Sequence, residues 1–473
     1  MRIKWSSQKQ KLILLWFKMQ MKTVFLVIPN PVITSDILRT KYIEYLVSKY
    51  RVIIISPLFG EAAAKEMGYF ISPATEYIKW KSEHPSFWET FKLFRISLIG
   101  EFDYLSAVQF FYRRPNFRND WKRRFLRTLG IPFSAFLTAG FFTNLEKLLL
   151  PRSGFFEGLL RKHNPALLIT ATPGFDPMEA EMIIRAKRAG LTTAAVDFSW
   201  DNLTTNCKHI RQTDYLIVWN DIIRDEAICI HHYDSNKIFT AGVLKFDHYF
   251  QNQPGELSRE DFLTSRNLNP ANKTIVFATK PKVYREQIEH IRAVIKAREE
   301  GQFGQTVNIL IRPHILDEPK FYQEFLSFDD VYVDCPGKRL ILENGTPSSA
   351  MEMDRGDLVN LKHILKYGDV HLQYGSTLAL EAAVFDKPVV NIGFLKTLIH
   401  NESYRINHYL PVLESGAAPL ARSMTELVAL VNKYLKDGSL DRENRFGVVS
   451  KFIPLRDGLA YRRSVDFLER IIF

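Results

Sequence analysis

Two series of short, nearly unbroken apolar runs divide this chain, and each series alternates with helical patterning. The first series comprises Thr23–Pro29, Val52–Ser56, Pro165–Thr170, Thr192–Asp197, Tyr215–Trp219 and Ile238–Ala241. The second comprises Thr274–Ala278, Val307–Arg312, Val331–Asp334, Val370–Gln373 and Val389–Ile392. Runs that are apolar on both faces are what parallel strands covered by helices require, so the reading is α/β. One helix is expected to start from a cap near Ser35 and run through Ile37, Tyr42, Leu46 and Val47, and another to cover Met178–Ala189. Met424–Leu435 and Ser464–Ile472 read as amphipathic helices. A chain of 473 residues is too long for one ordinary core, which agrees with two α/β halves.

The boundaries follow from where the buried runs stop. Residues 1–20 form an extension, and its apolar stretch before Lys18 is too short to span a bilayer. An N-terminal Rossmann-like domain is expected over 21–250, with a helical insertion at about 86–160. A polar connection over 251–273 leads to a second Rossmann-like domain over 274–455, and residues 456–473 return towards the first domain. Three cysteines, Cys207, Cys229 and Cys335, form no CxxC pair, which excludes a disulfide scaffold and points to a reducing, cytoplasmic setting.

Charge is unevenly spread. Residues 1–160 carry 24 of the 63 Lys and Arg residues but only 12 of the 52 Asp and Glu residues, so the positive excess lies in the first third. Much of it falls between Arg113 and Arg127, with Phe87, Trp88, Phe91, Phe94, Phe110, Phe111 and Phe141 near it. Basic residues mixed with aromatics suit an anionic membrane surface or a lipid-linked acceptor, placing the protein at the inner face of a membrane. A solvated helical face has the same composition, and no nucleic-acid motif accompanies it.

The densest chemical signal is Asp369–Asn391. A buried strand ends at Gly375-Ser376-Thr377, and a helix begins at once. Exposed backbone N–H groups at such a turn favour a phosphate, Ser376 and Thr377 add hydroxyls, and Glu381 sits one helical turn further on, placed to accept sugar hydroxyls. Helix capping by Ser376 is the bland alternative. Arg312 and His314 end a buried strand, where open parallel sheets bind ligands, and Lys280 follows another. Arg312 and Lys280 are candidate diphosphate ligands, and His314 is a candidate phosphate or proton carrier; an Arg–carboxylate pair, an exposed lysine and a core histidine are the alternatives. In the first half, Asp201 is the candidate general base and Asp176 its rival, although either aspartate would serve as a cap. Trp200, Asn202 and Arg39 are candidate acceptor contacts. No GxGxxG follows the first strand, where Ile28-Pro-Asn-Pro31 stands, and no Walker, HExxH, GxSxG or DxD motif occurs, so no cofactor or metal is expected.

Several blocks together resemble a known superfamily. Gly375-Ser-Thr, Glu381-Ala and Lys387-Pro-Val-Val are similar to the nucleotide-diphosphate region of GT-B glycosyltransferases, UDP-sugar 2-epimerases and CDP-glycerol glycerophosphotransferases. Ser199-Trp-Asp-Asn202, Trp219-Asn220, Gly242-Val-Leu-Lys-Phe-Asp247, Arg312-Pro-His314 and Asp457-Gly458 with Arg462-Arg463 resemble segments of bacterial surface-carbohydrate biosynthesis proteins, in the same order. The resemblance covers roughly residues 165–470. It implies the GT-B fold, two Rossmann-like domains facing across a cleft. It also implies transfer of a sugar from a nucleotide-diphosphate sugar to a lipid-linked or glycan acceptor. A CDP-alditol phosphotransferase, a UDP-sugar epimerase or an inactive scaffold of a glycan-assembly complex are the other functions this fold allows.

Overall fold

The computed structural model describes residues 21–81, 88–101, 104–113, 121–133, 136–205, 211–281, 284–341, 347–396 and 403–472. The extension over residues 1–20, with Phe87, lies outside them. The chain forms two units. One takes the described residues up to Gly100, Gly130–Leu244 and Leu459 onwards; the other takes Glu101–Leu129 and Lys245–Gly458.

The first unit is built on seven parallel strands: β1 (Thr23–Val27), β2 (Arg51–Ser56), β3 (Thr75–Lys79), β4 (Pro165–Thr170), β5 (Thr193–Val196), β6 (Tyr215–Val218) and β7 (Ile238–Thr240). Their order is β3-β2-β1-β4-β5-β6-β7. Side chains alternate between the two faces, as strand geometry demands. Val24, Leu26, Val52 and Ile54 join one core with helices Pro31–Leu38 and Lys41–Lys49, whereas Phe25, Val27, Ile53 and Ile55 join another with helices Gly154–His163 and Pro177–Arg188. β3 escapes a reading by apolar runs because it is an edge strand on which only Tyr77 is buried.

The helix expected near Ser35 is in fact two. Asn30 caps the first by accepting the Ile33 N–H at 3.2 Å, with Pro31 at its start; Thr40 caps the second through the Tyr42 N–H at 3.4 Å. Ser35 lies inside the first helix and is buried.

Helix Ala460–Ile472 belongs to this first unit. Val465 and Leu468 are fully buried in the core that contains Val24 and Leu26. Phe467 stacks on Phe239 with ring centroids 4.6 Å apart. Lys49 Nζ meets Asp466 at 2.7 Å and Glu469 at 2.5 Å, and Arg463 Nε donates to the Ala241 carbonyl at 2.7 Å.

The second unit carries β8 (Lys273–Ala278), β9 (Val307–Arg312), β10 (Val331–Val333), an antiparallel hairpin of β11 (Lys338–Ile341) and β12 (Pro347–Glu352), then β13 (Val370–Gln373), β14 (Val389–Ile392) and β15 (Leu420–Ala421). The parallel sheet runs β10-β9-β8-β13-β14-β15. Its core gathers Ile275, Phe277, Ile309, Ile311, Leu372 and Val390. No described helix is long and apolar enough to cross a membrane.

Truncating Leu468 to Ala should cost about 2–5 kcal/mol, the usual range for a buried leucine. Denaturant unfolding followed by a first-unit probe such as Trp219 fluorescence checks this.

Candidate functional site

In an open parallel sheet, the carboxyl ends of two neighbouring strands diverge where the strand order reverses, and ligands bind in that crevice. In the second unit the reversal falls between β8 and β13, because β9 follows on one side of β8 and β13 on the other. The segments leaving these strands are Thr279–Lys280 and Tyr374–Thr377. Lys280 Nζ donates to the Tyr374 carbonyl at 3.4 Å, and its backbone N–H donates to Gln287 Oε1 at 2.8 Å. Lys280 thus stands half-buried at the crevice.

The turn after β13 needs its glycine. Gly375 has φ +70°, and a Cβ there would lie 2.8 Å from Cε1 of the buried Tyr404. Tyr404 is fixed in turn by donating to the Ile392 carbonyl at 2.7 Å. Ser376 spends its hydroxyl on the turn itself, donating to Gln373 Oε1 at 2.7 Å and accepting the Leu378 N–H at 3.2 Å. Thr377 opens helix Leu378–Val384 without a side-chain capping bond. Glu381 lies one turn further on, and its Oε2 accepts from the Tyr249 hydroxyl at 2.5 Å.

At the end of β9 Arg312 takes the carboxylate pairing that was the alternative to a diphosphate contact. Its guanidinium is buried against Asp334, which also accepts from Asn360 Nδ2 at 2.7 Å. A charge neutralised in this way is not a ready partner for a diphosphate. The His314 ring accepts the Leu316 N–H at Nδ1, 3.1 Å away, and burial lowers its pKa. A neutral ring whose Nδ1 accepts carries its proton on Nε2, so His314 is poised to donate a hydrogen bond rather than to take a proton.

Sequence reading missed the residues beneath. The His314 N–H donates to Thr279 Oγ1 at 2.8 Å. Thr279 and Tyr322 hydroxyls both donate to Asp317 Oδ2, at 2.7 and 2.6 Å. Asp317 is 2% exposed, and this buried carboxylate ties the ends of β8 and β9 together. It belongs to no motif, and nothing in a loop Asp three residues after a His marks it.

The first unit has its own reversal, between β1 and β4. Here Glu179 is fully buried, with Oε1 accepting the N–H groups of Ala171 at 2.6 Å and Thr172 at 3.0 Å while Thr172 donates its hydroxyl to the other oxygen. Burial pushes its carboxyl up to about 8. Asp176 takes the capping role: it accepts the Met178 N–H at 2.9 Å, ahead of Pro177.

Past β5, Asp201 accepts the Ser199 hydroxyl, and the buried Asn202 amide donates to Asp197 at 2.6 Å. Trp200 is 5% exposed, a core residue rather than an open face for a sugar. Arg39 is likewise structural, donating to the Met67 and Gly68 carbonyls at 2.7 and 2.8 Å while lying over the Tyr69 ring. The unexpected member is Glu226, whose carboxyl is raised to about 8 by burial and then by the charges of Asp197 and Asp201. No group of three His, Cys, Asp or Glu residues among the described residues is arranged to hold a metal ion.

A carboxyl raised in the folded state binds more protons folded than unfolded between about pH 4.3, the ordinary glutamate value, and its folded value. Stability therefore falls as pH rises through that window. Glu226→Gln should flatten the decline in melting temperature between pH 5 and 8, which thermal unfolding across that range will show.

A family model described as CDP-glycerol:poly(glycerophosphate) glycerophosphotransferase matches residues 183–470. No curated protein matches the chain by sequence. Among solved structures the chain is similar to MnaA of S. aureus with UDP, at 11% identity over 95% of this chain and 96% of that one, with a TM-score of 0.51. It is similar to the UDP-GlcNAc 2-epimerase of Methanocaldococcus jannaschii, at 12% identity over 95% and 99%, with a TM-score of 0.50. It is also similar to a variant of the wall teichoic acid polymerase TagF, at 12% identity over 96% and 89%, with a TM-score of 0.51. At such identities the likeness is one of fold, and the fold is the expected GT-B class with its two Rossmann-like units.

Proposed function

The chain belongs to the CDP-glycerol:poly(glycerophosphate) glycerophosphotransferase family, and we propose that it moves a phosphoalditol group from a nucleotide-diphosphate-linked donor to a hydroxyl of a surface polymer or its lipid-linked primer. The family match over residues 183–470 carries this reading. It favours an alditol-phosphate donor over the sugar donor that the sequence blocks suggested first.

The donor diphosphate is assigned to the β8/β13 crevice. The backbone at Gly375 and Thr377, on either side of the Ser376 N–H that Gln373 takes, supplies N–H groups, Lys280 supplies positive charge, and His314 supplies its Nε2–H. Glu381 is assigned to a hydroxyl of the donor through the oxygen that Tyr249 leaves open. The acceptor oxygen attacks the phosphorus that carries the alditol, the bond to the bridging oxygen breaks, and a nucleoside monophosphate leaves. Fixed donors aimed at the diphosphate stabilise the charge that grows on the leaving group. The acceptor proton goes to a base, for which Asp201 is the assignment, with Asn202 as an acceptor contact. Ser199 donates to the Asp201 carboxylate and holds it in place.

A membrane-bound acceptor fits the basic segment. Helix Trp121–Gly130 exposes Trp121, Phe125 and Leu129 at a spacing of four residues, with Lys122 and Arg124 also exposed. An exposed apolar stripe flanked by cations suits the surface of an anionic bilayer.

Phosphorus-31 NMR of the full chain with CDP-glycerol and a polyol-phosphate primer tests the reaction. The expected outcome is loss of the diphosphate doublets with appearance of CMP and a phosphodiester. Release of a nucleoside diphosphate from a sugar donor, with CDP-glycerol untouched, would reverse the assignment. Asp201→Asn should lower turnover about 10²–10⁴-fold, the usual span for loss of a general base. Donor binding should persist in that variant.

A further inference from the structure

The first unit holds a cavity of about 200 Å³ between helices Gly154–His163 and Pro177–Arg188. Its wall includes Arg152, Ser153, Phe156, Glu157, Arg185 and Arg188. None of these residues is assigned to the donor or the acceptor, and the transfer reaction makes no use of the cavity.

The charges in this wall do not balance. Arg185 is 3% exposed and spends its guanidinium on Glu181, at 2.7 and 2.9 Å, and on the Pro151 carbonyl at 2.8 Å. Arg188 donates to the Lys147 carbonyl, a neutral partner. Neither Arg152 nor Arg188 forms an ion pair among the described residues, and Glu157 is the one carboxylate in the wall. Burial and the positive charges of Arg185 and Arg152 lower the pKa of Arg188, the response expected of a cation facing cations. Two further features favour an anion. The ten-residue helix Gly154–His163 begins at the wall, with the Ser153 hydroxyl accepting the Phe156 N–H at 3.0 Å, so its positive end adds to the field. Guanidinium groups also present paired N–H donors that match the oxygens of a phosphate. Phe156 and Leu160 make one side of the cavity apolar, and its volume exceeds what a bare oxyanion fills.

We propose that this cavity is a second anion site, taking a phosphate ester with a small organic body through Arg152 and Arg188. Two sources offer that chemistry, a soluble phosphate ester and the headgroup of an anionic lipid. Leu148 and Phe155, 83% and 46% exposed, stand beside the site in sequence and suit the second source.

Calorimetric titration of the full chain with sn-glycerol 3-phosphate, and sedimentation with phosphatidylglycerol or phosphatidylcholine vesicles, test this at low salt. The Arg152→Gln/Arg188→Gln double variant should weaken binding to one of these probes at least tenfold while CDP binding stays unchanged. Glu157→Gln, which removes the opposing carboxylate, should tighten it and serves if the double variant does not fold. Loss confined to glycerol phosphate identifies a soluble ester, and loss confined to phosphatidylglycerol vesicles identifies a headgroup. Equal binding of both probes by wild type and variants, or no saturable binding of either, overturns the proposal.

Discussion

The Gln373 side chain holds the carboxyl-terminal edge of the second unit's sheet together at β13 and β14. Its Oε1 accepts both the N–H and the hydroxyl of Ser376, while its Nε2 donates to Asn391 Oδ1 at 3.1 Å and to the Tyr409 hydroxyl at 2.9 Å. One buried amide thereby connects the end of β13, the turn that follows it and the neighbouring β14. Tyr409 and Asn391 close the network with a 2.7 Å bond. Because every member is satisfied, the network rigidifies the turn instead of burdening the core. The backbone conformation at Gly375, and so the direction in which the turn presents its N–H groups, follows from it.

The same economy recurs at the other strand ends. Polar side chains there are spent on one another: Arg312 on Asp334, Thr279 and Tyr322 on Asp317, Thr172 on Glu179. The groups proposed for the donor are backbone N–H, Lys280, the Nε2–H of His314 and Glu381. This inventory is rich in donors, which suits a diphosphate. In the first unit, burial pushes the carboxyls of Glu179 and Glu226 up to about 8, helped by the charge of Asp176 at the first and of Asp197 and Asp201 at the second.

How far the sequence reveals this depends on distance along the chain. Strands Pro165–Thr170, Val307–Arg312 and Val389–Ile392 were legible to the residue because strands buried on both faces are largely apolar, and Val370–Gln373 was legible although His371 and Gln373 interrupt it. β3 was not, since an edge strand with one buried side chain leaves no such run. The boundary between the first two helices hung on a single cap, Thr40. Gly375 was legible as the turn glycine because its demand is local. The packing of Arg312 and Arg39 was not legible, for the opposite reason. Asp334 lies 22 residues from Arg312 and Gly68 lies 29 from Arg39, and no local pattern announces such partners. Glu226 and Asp317 owe their character to burial, which only the fold supplies.

The central claim is that the donor nucleotide occupies the β8/β13 crevice of the second unit. Hydrogen exchange with and without CDP, read by mass spectrometry on the full chain, tests it most directly. The account predicts slowed exchange in peptides covering Thr279–Lys280 and Tyr374–Leu378, with β10 and β15 unchanged. Saturating CDP that slows exchange only elsewhere, leaving the turn after β13 as labile as in the free protein, would contradict it.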